Sequence, residues 1–202
     1  MAKSPTSMAC FRSIFHSVIL IVVAVFFCIQ SSSVIAQVVA EDDPKCLRGV
    51  KDSLHDPESK LASWNFNNIT AGSICTFGFV VCWNDLENRV ITLNPTNLGL
   101  AGTISSALQF CGSLQNLILS GNSLTGSIPN ELCTWMPYLV ILDLSNNQLT
   151  GEIPDLSKCV FLNTLLLSGN RFSGPIPPGL SRFNSSSFEG NDGLCGKPLN
   201  KC

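Results

Sequence analysis

The stretches Leu100-Ala-Gly-Thr-Ile-Ser105, Leu124-Thr-Gly-Ser-Ile-Pro129, Leu149-Thr-Gly-Glu-Ile-Pro154 and Phe172-Ser-Gly-Pro-Ile-Pro177 are four copies of one pattern. Their glycines, Gly102, Gly126, Gly151 and Gly174, recur at intervals of 24, 25 and 23 residues. Upstream the spacing also holds: Leu117-Ile-Leu119 precedes Asn122, Leu142-Asp-Leu144 precedes Asn147, and Leu165-Leu-Leu167 precedes Asn170. Each copy reads as a short strand, a turn and a return path. Alternation along the strand sends its two leucines to one face and the residues beside them to the other. One coil cannot bury its leucines alone, whereas stacked coils share a core and continue a parallel sheet along one side. The three asparagine amides carry the donors and acceptor that buried turn backbone needs, so an internal ladder of asparagines is expected.

A period of 23 to 25 residues lies in the leucine-rich-repeat range. The Leu-x-Gly-x-Ile-Pro form resembles the plant-type leucine-rich repeat of receptor-like kinases and receptor-like proteins. The fold class expected is therefore an α/β solenoid of about four coils, with a parallel sheet on one face, a helical N-terminal cap and disulfide-closed caps at both ends. The first coil departs from the pattern: Pro95 replaces the second strand leucine, Leu98 the asparagine and Ser105 the proline. Such deviation suits a coil that meets a cap on one side. The division expected is a signal peptide over 1–36, an N-terminal cap over 37–89, repeats over 90–178 and a C-terminal cap over 179–202, with the rhythm ending after Pro178.

The leader reading rests on Lys3 and Arg12 before the apolar run Val18–Ile29, followed by small residues and Val34-Ile-Ala36. Ala40 before Glu41 is a rival cleavage site. Twelve uninterrupted apolar residues are short against the roughly 20 that a spanning helix needs. No later stretch is expected to span a membrane. Removing Lys3 and Arg12 from the twelve basic residues leaves ten against fourteen acidic ones, a net charge of −4. Charge this sparse and balanced gives no basis for nucleic-acid binding.

Cysteine use agrees with an oxidising compartment. Cys10 and Cys28 fall in the leader and eight remain. Cys75 with Cys82, and Cys195 with Cys202, are closely spaced pairs that bracket the repeats and read as end-cap disulfides. Zinc is the competing use of clustered cysteines, but no Cys-x-x-Cys occurs and His55 is the only histidine after the leader. Cys111, Cys133 and Cys159 fall on or near return paths and read as buried small hydrophobes. Cys46 has no assignable partner, a link from Cys133 to a neighbour stays open, and connectivity does not follow from spacing. Asn68-Ile-Thr70 and Asn184-Ser-Ser186 are glycosylation acceptors in polar loop contexts.

Leu47, Val50 and Leu54 recur at helical spacing and His55-Asp-Pro57 ends the run, so residues 41–54 are expected to form a helix over the open end of the core, with Trp64 packed beneath it. Asn84 to Asn88 reads as the polar turn of a hairpin leading into Val90. Glu41-Asp-Asp, Cys46-Leu-Arg-Gly, Cys82-Trp-Asn, Glu87-Asn-Arg-Val90, Leu132-Cys-x-Trp135-x-Pro-Tyr-Leu139 and Cys159-x-Phe-Leu-Asn163 together resemble the ectodomains of inactive leucine-rich-repeat receptor-like kinases that associate with somatic-embryogenesis-type co-receptor kinases. The segment from Phe188 to Cys202 resembles the C-terminal cap of the same receptors. The resemblance implies binding to a co-receptor kinase ectodomain or related receptor, which withholds it from ligand-binding receptors in brassinosteroid or immune signalling. Family members carry a fifth repeat, a membrane helix and a kinase-like domain, and these are not found in the sequence.

Function of this kind sits on the exposed sheet face, where the candidate contact residues are Asn94, Asn116, Ile118, Ile141, Asp143, Thr164 and Leu166. Ile118, Ile141 and Leu166 stand out, because an outward position in water gains nothing from a large aliphatic, and three on adjacent coils would make one patch. Tyr138, Phe161 and Arg171, near strand ends, are secondary candidates. No nucleophile motif, acidic pair, metal-ligand set or cofactor motif occurs, so no catalytic residue, metal or cofactor is expected. The alternative function is a secreted defence protein of the polygalacturonase-inhibitor type, which would normally have about twice as many coils.

Overall fold

Residues 42–202 are described by the computed structural model; the leader expected over residues 1–36 lies outside them. Residues 42–52 form the cap helix α1. Its Cys46, Leu47 and Val50 are buried, as the helical spacing of the apolar residues requires. Lys51 Nζ donates to the Trp64 carbonyl at 2.8 Å. Trp64 is buried, donates through Nε1 to the Gly78 carbonyl at 2.8 Å, and stacks on Phe77 with ring centroids 6.2 Å apart. Asp43 ties the helix to the first coil by accepting from the Val90 N–H, and burial pushes its carboxyl pKa up to about 6.

The main sheet has five strands. The parallel set is β3 (Val90–Leu93), β5 (Asn116–Ile118), β7 (Ile141–Asp143) and β9 (Thr164–Leu166), one per coil, and β2 (Val80–Cys82) pairs antiparallel with β3 at the N-terminal edge. Leu93, Leu117, Leu142 and Leu165 lie in register and are buried together. The remaining strands form two further sheets. β1 (Leu54–His55), β4 (Ala101–Thr103) and β6 (Ser123–Thr125) form one sheet; β8 (Thr150–Gly151), β10 (Arg171–Pro175) and β11 (Gly193–Cys195) form another. A short helix α2 (Leu132–Trp135) lies on the return path of the second coil.

Asparagine amides join the coils. Asn147 Oδ1 accepts from Leu124 N–H at 3.0 Å, and its Nδ2 donates to the Leu119 and Leu144 carbonyls at 3.0 and 3.1 Å. Asn170 repeats this one coil later, on Leu149 N–H and the Leu144 and Leu167 carbonyls. Asn122 accepts from both Leu98 N–H and Leu100 N–H, and so serves the coil that lacks an asparagine of its own. The residue before each ladder position turns the chain through the left-handed region: Asn97, Gly121, Asn146 and Gly169 have φ of 56°, 69°, 54° and 66°. Only glycine and asparagine enter that region readily.

The rhythm does not end after Pro178 as the sequence suggests. Gly190 has φ 70°, and Asn191 next to it accepts from Phe172 N–H at 3.0 Å while donating to the Leu167 and Phe188 carbonyls. Leu167 N–H and Gly169 N–H donate to the Ser187 and Glu189 carbonyls, and Phe188 is fully buried. The C-terminal segment thus builds the turn of a partial fifth coil. The signal was Phe188-Glu-Gly-Asn191, which matches Leu119-Ser-Gly-Asn122 and Leu167-Ser-Gly-Asn170 without the preceding Leu-x-Leu strand.

Four disulfides are present: Cys46–Cys111, Cys75–Cys82, Cys133–Cys159 and Cys195–Cys202. Cys111, Cys133 and Cys159, read from the sequence as buried hydrophobes, are buried because they are bonded. Cys46–Cys111 fastens α1 to the first return path, and Cys133–Cys159 joins the return paths of the second and third coils. The partners are 65 and 26 residues apart, so only stacking of the coils brings them together.

Candidate protein-binding surface

Parallel register decides which outward side chains are neighbours. Thr92, Asn116, Ile141 and Thr164 form one row across the sheet, and Ile118, Asp143 and Leu166 lie in the next. Asn94 continues the second row on the first coil by its place two residues after Thr92. Ile118 and Leu166 are therefore separated by Asp143, and Ile141 belongs to the other row. The three aliphatics form a checkerboard with polar residues between them, not one continuous patch, and each is only partly exposed. Asn116 Nδ2 donates to Thr92 Oγ1 at 2.8 Å, and Asp143 Oδ1 accepts from Ser145 N–H and Ser145 Oγ. Much of this face thus spends its polar groups on itself. Ser120 and Ser145, outward by simple alternation, are buried where the chain turns toward the ladder.

Large exposed apolar side chains lie beside that face, in two places. Val81 pairs with Thr92 and extends the first row onto β2, and Phe79, whose carbonyl accepts from Asn94 N–H, sits at the end of the second. Trp83 and Leu86 follow in the hairpin turn. The second place is the row three residues before the strand register, where Tyr138 and Phe161 occupy equivalent positions on adjacent coils. Their side chains are 55% and 56% exposed and stack with centroids 6.2 Å apart and planes 26° from parallel; Val160 is exposed next to them. A stacked aromatic pair in water offers a large contact area with little rotamer entropy left to lose. Arg171 lies apart from both, at the start of β10 in the separate sheet.

The hairpin residues were legible only in part. Phe79-Val80-Val81-Cys82 has no polar alternation, which signals a strand that keeps apolar groups on both faces. Asn68 and Asn184 are both exposed, and Asn184 Oδ1 caps the turn over Ser185–Ser187 by accepting from Ser186 N–H at 3.1 Å. A shallow depression near α1 is lined by Arg48 and Lys51, but both cations are committed internally, to the Phe66 and Trp64 carbonyls, and Arg48 also stacks on Phe66. Among the described residues no group of three or more His, Cys, Asp or Glu side chains is placed to hold a metal.

Two family models describe the sequence: the leucine rich repeat N-terminal domain over residues 40–83, and the leucine rich repeat over residues 113–135, 138–159 and 161–183. The inactive LRR receptor-like serine/threonine-protein kinase BIR2 of Arabidopsis thaliana is 49% identical over 202 residues, which is 87% of this chain and 33% of that relative. The crystal structure of the BIR2 ectodomain matches with a TM-score of 0.70 at 48% identity, covering 80% of this chain and 99% of that one. A chain of the BIR3–SERK2 complex from Arabidopsis thaliana matches with a TM-score of 0.67 at 47% identity, covering 78% and 97%. The chain spans about a third of the length of the curated relatives it matches. Among the described residues no helix is long and apolar enough to cross a membrane.

Proposed function

Since the chain belongs to the leucine-rich-repeat receptor-like kinase family and corresponds to the ectodomain of its inactive members, we propose that it is an extracellular, non-catalytic module that binds the leucine-rich ectodomain of a somatic-embryogenesis-type co-receptor kinase. The observation that carries this reading is the likeness to the chain solved within the BIR3–SERK2 complex, which extends over 97% of that chain. The contact surface proposed is the stacked pair Tyr138 and Phe161 together with the adjoining sheet residues Asn94, Asn116, Ile118, Ile141, Asp143, Thr164 and Leu166. An exposed aromatic anchor with a polar rim is what a protein interface of ordinary size uses. The sheet offers that rim preformed, because Asn116 to Thr92 and Asp143 to Ser145 are already hydrogen-bonded.

The effect on signalling follows from mass action. A co-receptor ectodomain occupied by this chain is withheld from an activating receptor in proportion to concentration over Kd. No step of bond making is required, so regulation depends on residence time and local concentration. The chain secreted from a eukaryotic host should bind a SERK2-type ectodomain saturably at mildly acidic pH, with a Kd of about 1 μM or tighter. Phe161→Ala and Tyr138→Ala should each weaken binding by roughly 10-fold or more, the usual effect of truncating an aromatic anchor. Absence of saturable binding by the unaltered chain would remove the reading.

A further inference from the structure

We propose that the co-receptor contact continues from the aromatic pair along the strand-start edge of the sheet to a second anchor on the cap hairpin, made by Trp83 and Leu86. This rests on the function proposed above and names a part of the surface that lies outside the sheet face.

The placement comes from register. Three residues before the paired positions Thr92, Asn116, Ile141 and Thr164 stand Arg89, Ser113, Tyr138 and Phe161, one from each coil. Trp83 N–H donates to the Arg89 carbonyl at 2.9 Å, so Trp83 joins this row at its N-terminal end. The row therefore runs from an indole, past a cation and a small residue, to two stacked rings. Neighbouring strands are about 4.8 Å apart, so the two anchors lie roughly 15 to 20 Å from each other. That separation fits within a single partner's share of a standard interface, about 800 Å².

Trp83 is 62% exposed and Leu86 82% exposed, and nothing in the fold gains from showing them to water. Their backbone is nevertheless fixed. The Cys75–Cys82 disulfide ties the end of β2 to the helical turn Ser73–Thr76 before it, Leu86 N–H donates to Asn84 Oδ1 at 2.9 Å, and buried Asn88 donates to the Thr70 carbonyl at 2.9 Å. Arg89 pairs with Glu87 at 3.2 Å on the same turn. Apolar side chains held out on a rigid turn lose little freedom on binding, which is the property of an anchor. The opposite end of the row favours growth in this direction, since the exposed acceptor Asn184 lies on the next partial coil, where a glycan would crowd the edge beyond Phe161. The partner chemistry that fits is a leucine-rich ectodomain flank offering two apolar contacts with a neutral polar stretch between them, opposite the Arg89–Glu87 pair.

The test is surface binding of the secreted chain and its variants to an immobilised SERK2 ectodomain, with thermal unfolding as the folding control. Trp83→Ala and Leu86→Ala should each lower affinity at least fivefold, mainly through faster dissociation, with unfolding midpoints unchanged because both side chains are exposed. Trp83→Ala combined with Phe161→Ala should give the product of the single effects, as separate anchors do. If the unaltered chain binds and Phe161→Ala weakens it while Trp83→Ala and Leu86→Ala stay within twofold, the contact stops at Tyr138 and this inference fails with the function intact. If the unaltered chain does not bind, both fail. Loss of a concentration-dependent dimer in Trp83→Ala, with co-receptor affinity unchanged, would assign the hairpin to a second copy of the chain and overturn the proposal.

Discussion

Replacing Asn147 by alanine tests the central element of the fold. The side chain accepts from Leu124 N–H and donates to the Leu119, Leu144 and Ser145 carbonyls. Each carbonyl has a second partner, Asn122 for Leu119, Asn170 for Leu144 and Gly121 N–H for Ser145, so none is orphaned by the change. Leu124 N–H has no such substitute and becomes a buried unpaired donor, at a cost of about 1 to 3 kcal/mol, with roughly 0.5 to 1.5 kcal/mol for each bond lost at the carbonyls. Even a total near 3 kcal/mol, toward the low end of that sum, is a large part of the roughly 5 to 15 kcal/mol that stabilises an ordinary domain. With an m-value of roughly 2 kcal/mol/M, the urea midpoint of the disulfide-intact protein should fall by about 1.5 M at unchanged m. Asn191→Ala, at the open end of the ladder, should act locally instead. Amide exchange should accelerate over residues 188–195 while the midpoint moves much less, because a terminal coil contacts one neighbour only. A shift below about 0.3 M for Asn147→Ala would mean that water replaces the amide at no cost, and the ladder would not be what holds adjacent coils together.

Two further outcomes follow from the cap. Removing the Cys46–Cys111 bond by double alanine substitution should cost about 4 kcal/mol by loop entropy, against about 2 kcal/mol for Cys75–Cys82, because the loops closed are 65 and 7 residues long. Comparing the urea midpoints of the two variants checks this, and equal losses would refute it. The Asp43 carboxyl, pushed up to about 6 from 3.8 chiefly by burial, holds its proton more tightly folded than unfolded. Its contribution is fully present below about pH 3.8 and is lost as pH rises through about 6, a change of roughly 3 kcal/mol at most. Asp43→Asn should therefore be more stable than the parent at pH 7.5 and converge with it only below about pH 3.8, as read from thermal midpoints; parallel profiles would show that Asp43 does not titrate in this range.

Residue spacing alone was enough to read the solenoid, its parallel sheet, the cap helix and the asparagine ladder, since each leaves a local pattern in the chain, although the ladder's bonds reach from one coil to the next. Leu142 and Leu144 point inward by strand alternation, and Asn122, Asn147 and Asn170 recur at the same place after each strand. Tertiary structure decided what depends on stacking one coil against another. It paired Cys46 with Cys111 and Cys133 with Cys159, and it recruited Phe188 and Asn191 into a partial fifth coil that has no strand leucines to announce it. Stacking also settled the surface. Register set Asp143 between Ile118 and Leu166, brought Tyr138 against Phe161, and left Trp83 in solvent while Trp64 was covered. A sequence states which face of its own strand a residue takes; which residue lies beside it, and what covers it, are properties of the neighbouring coil.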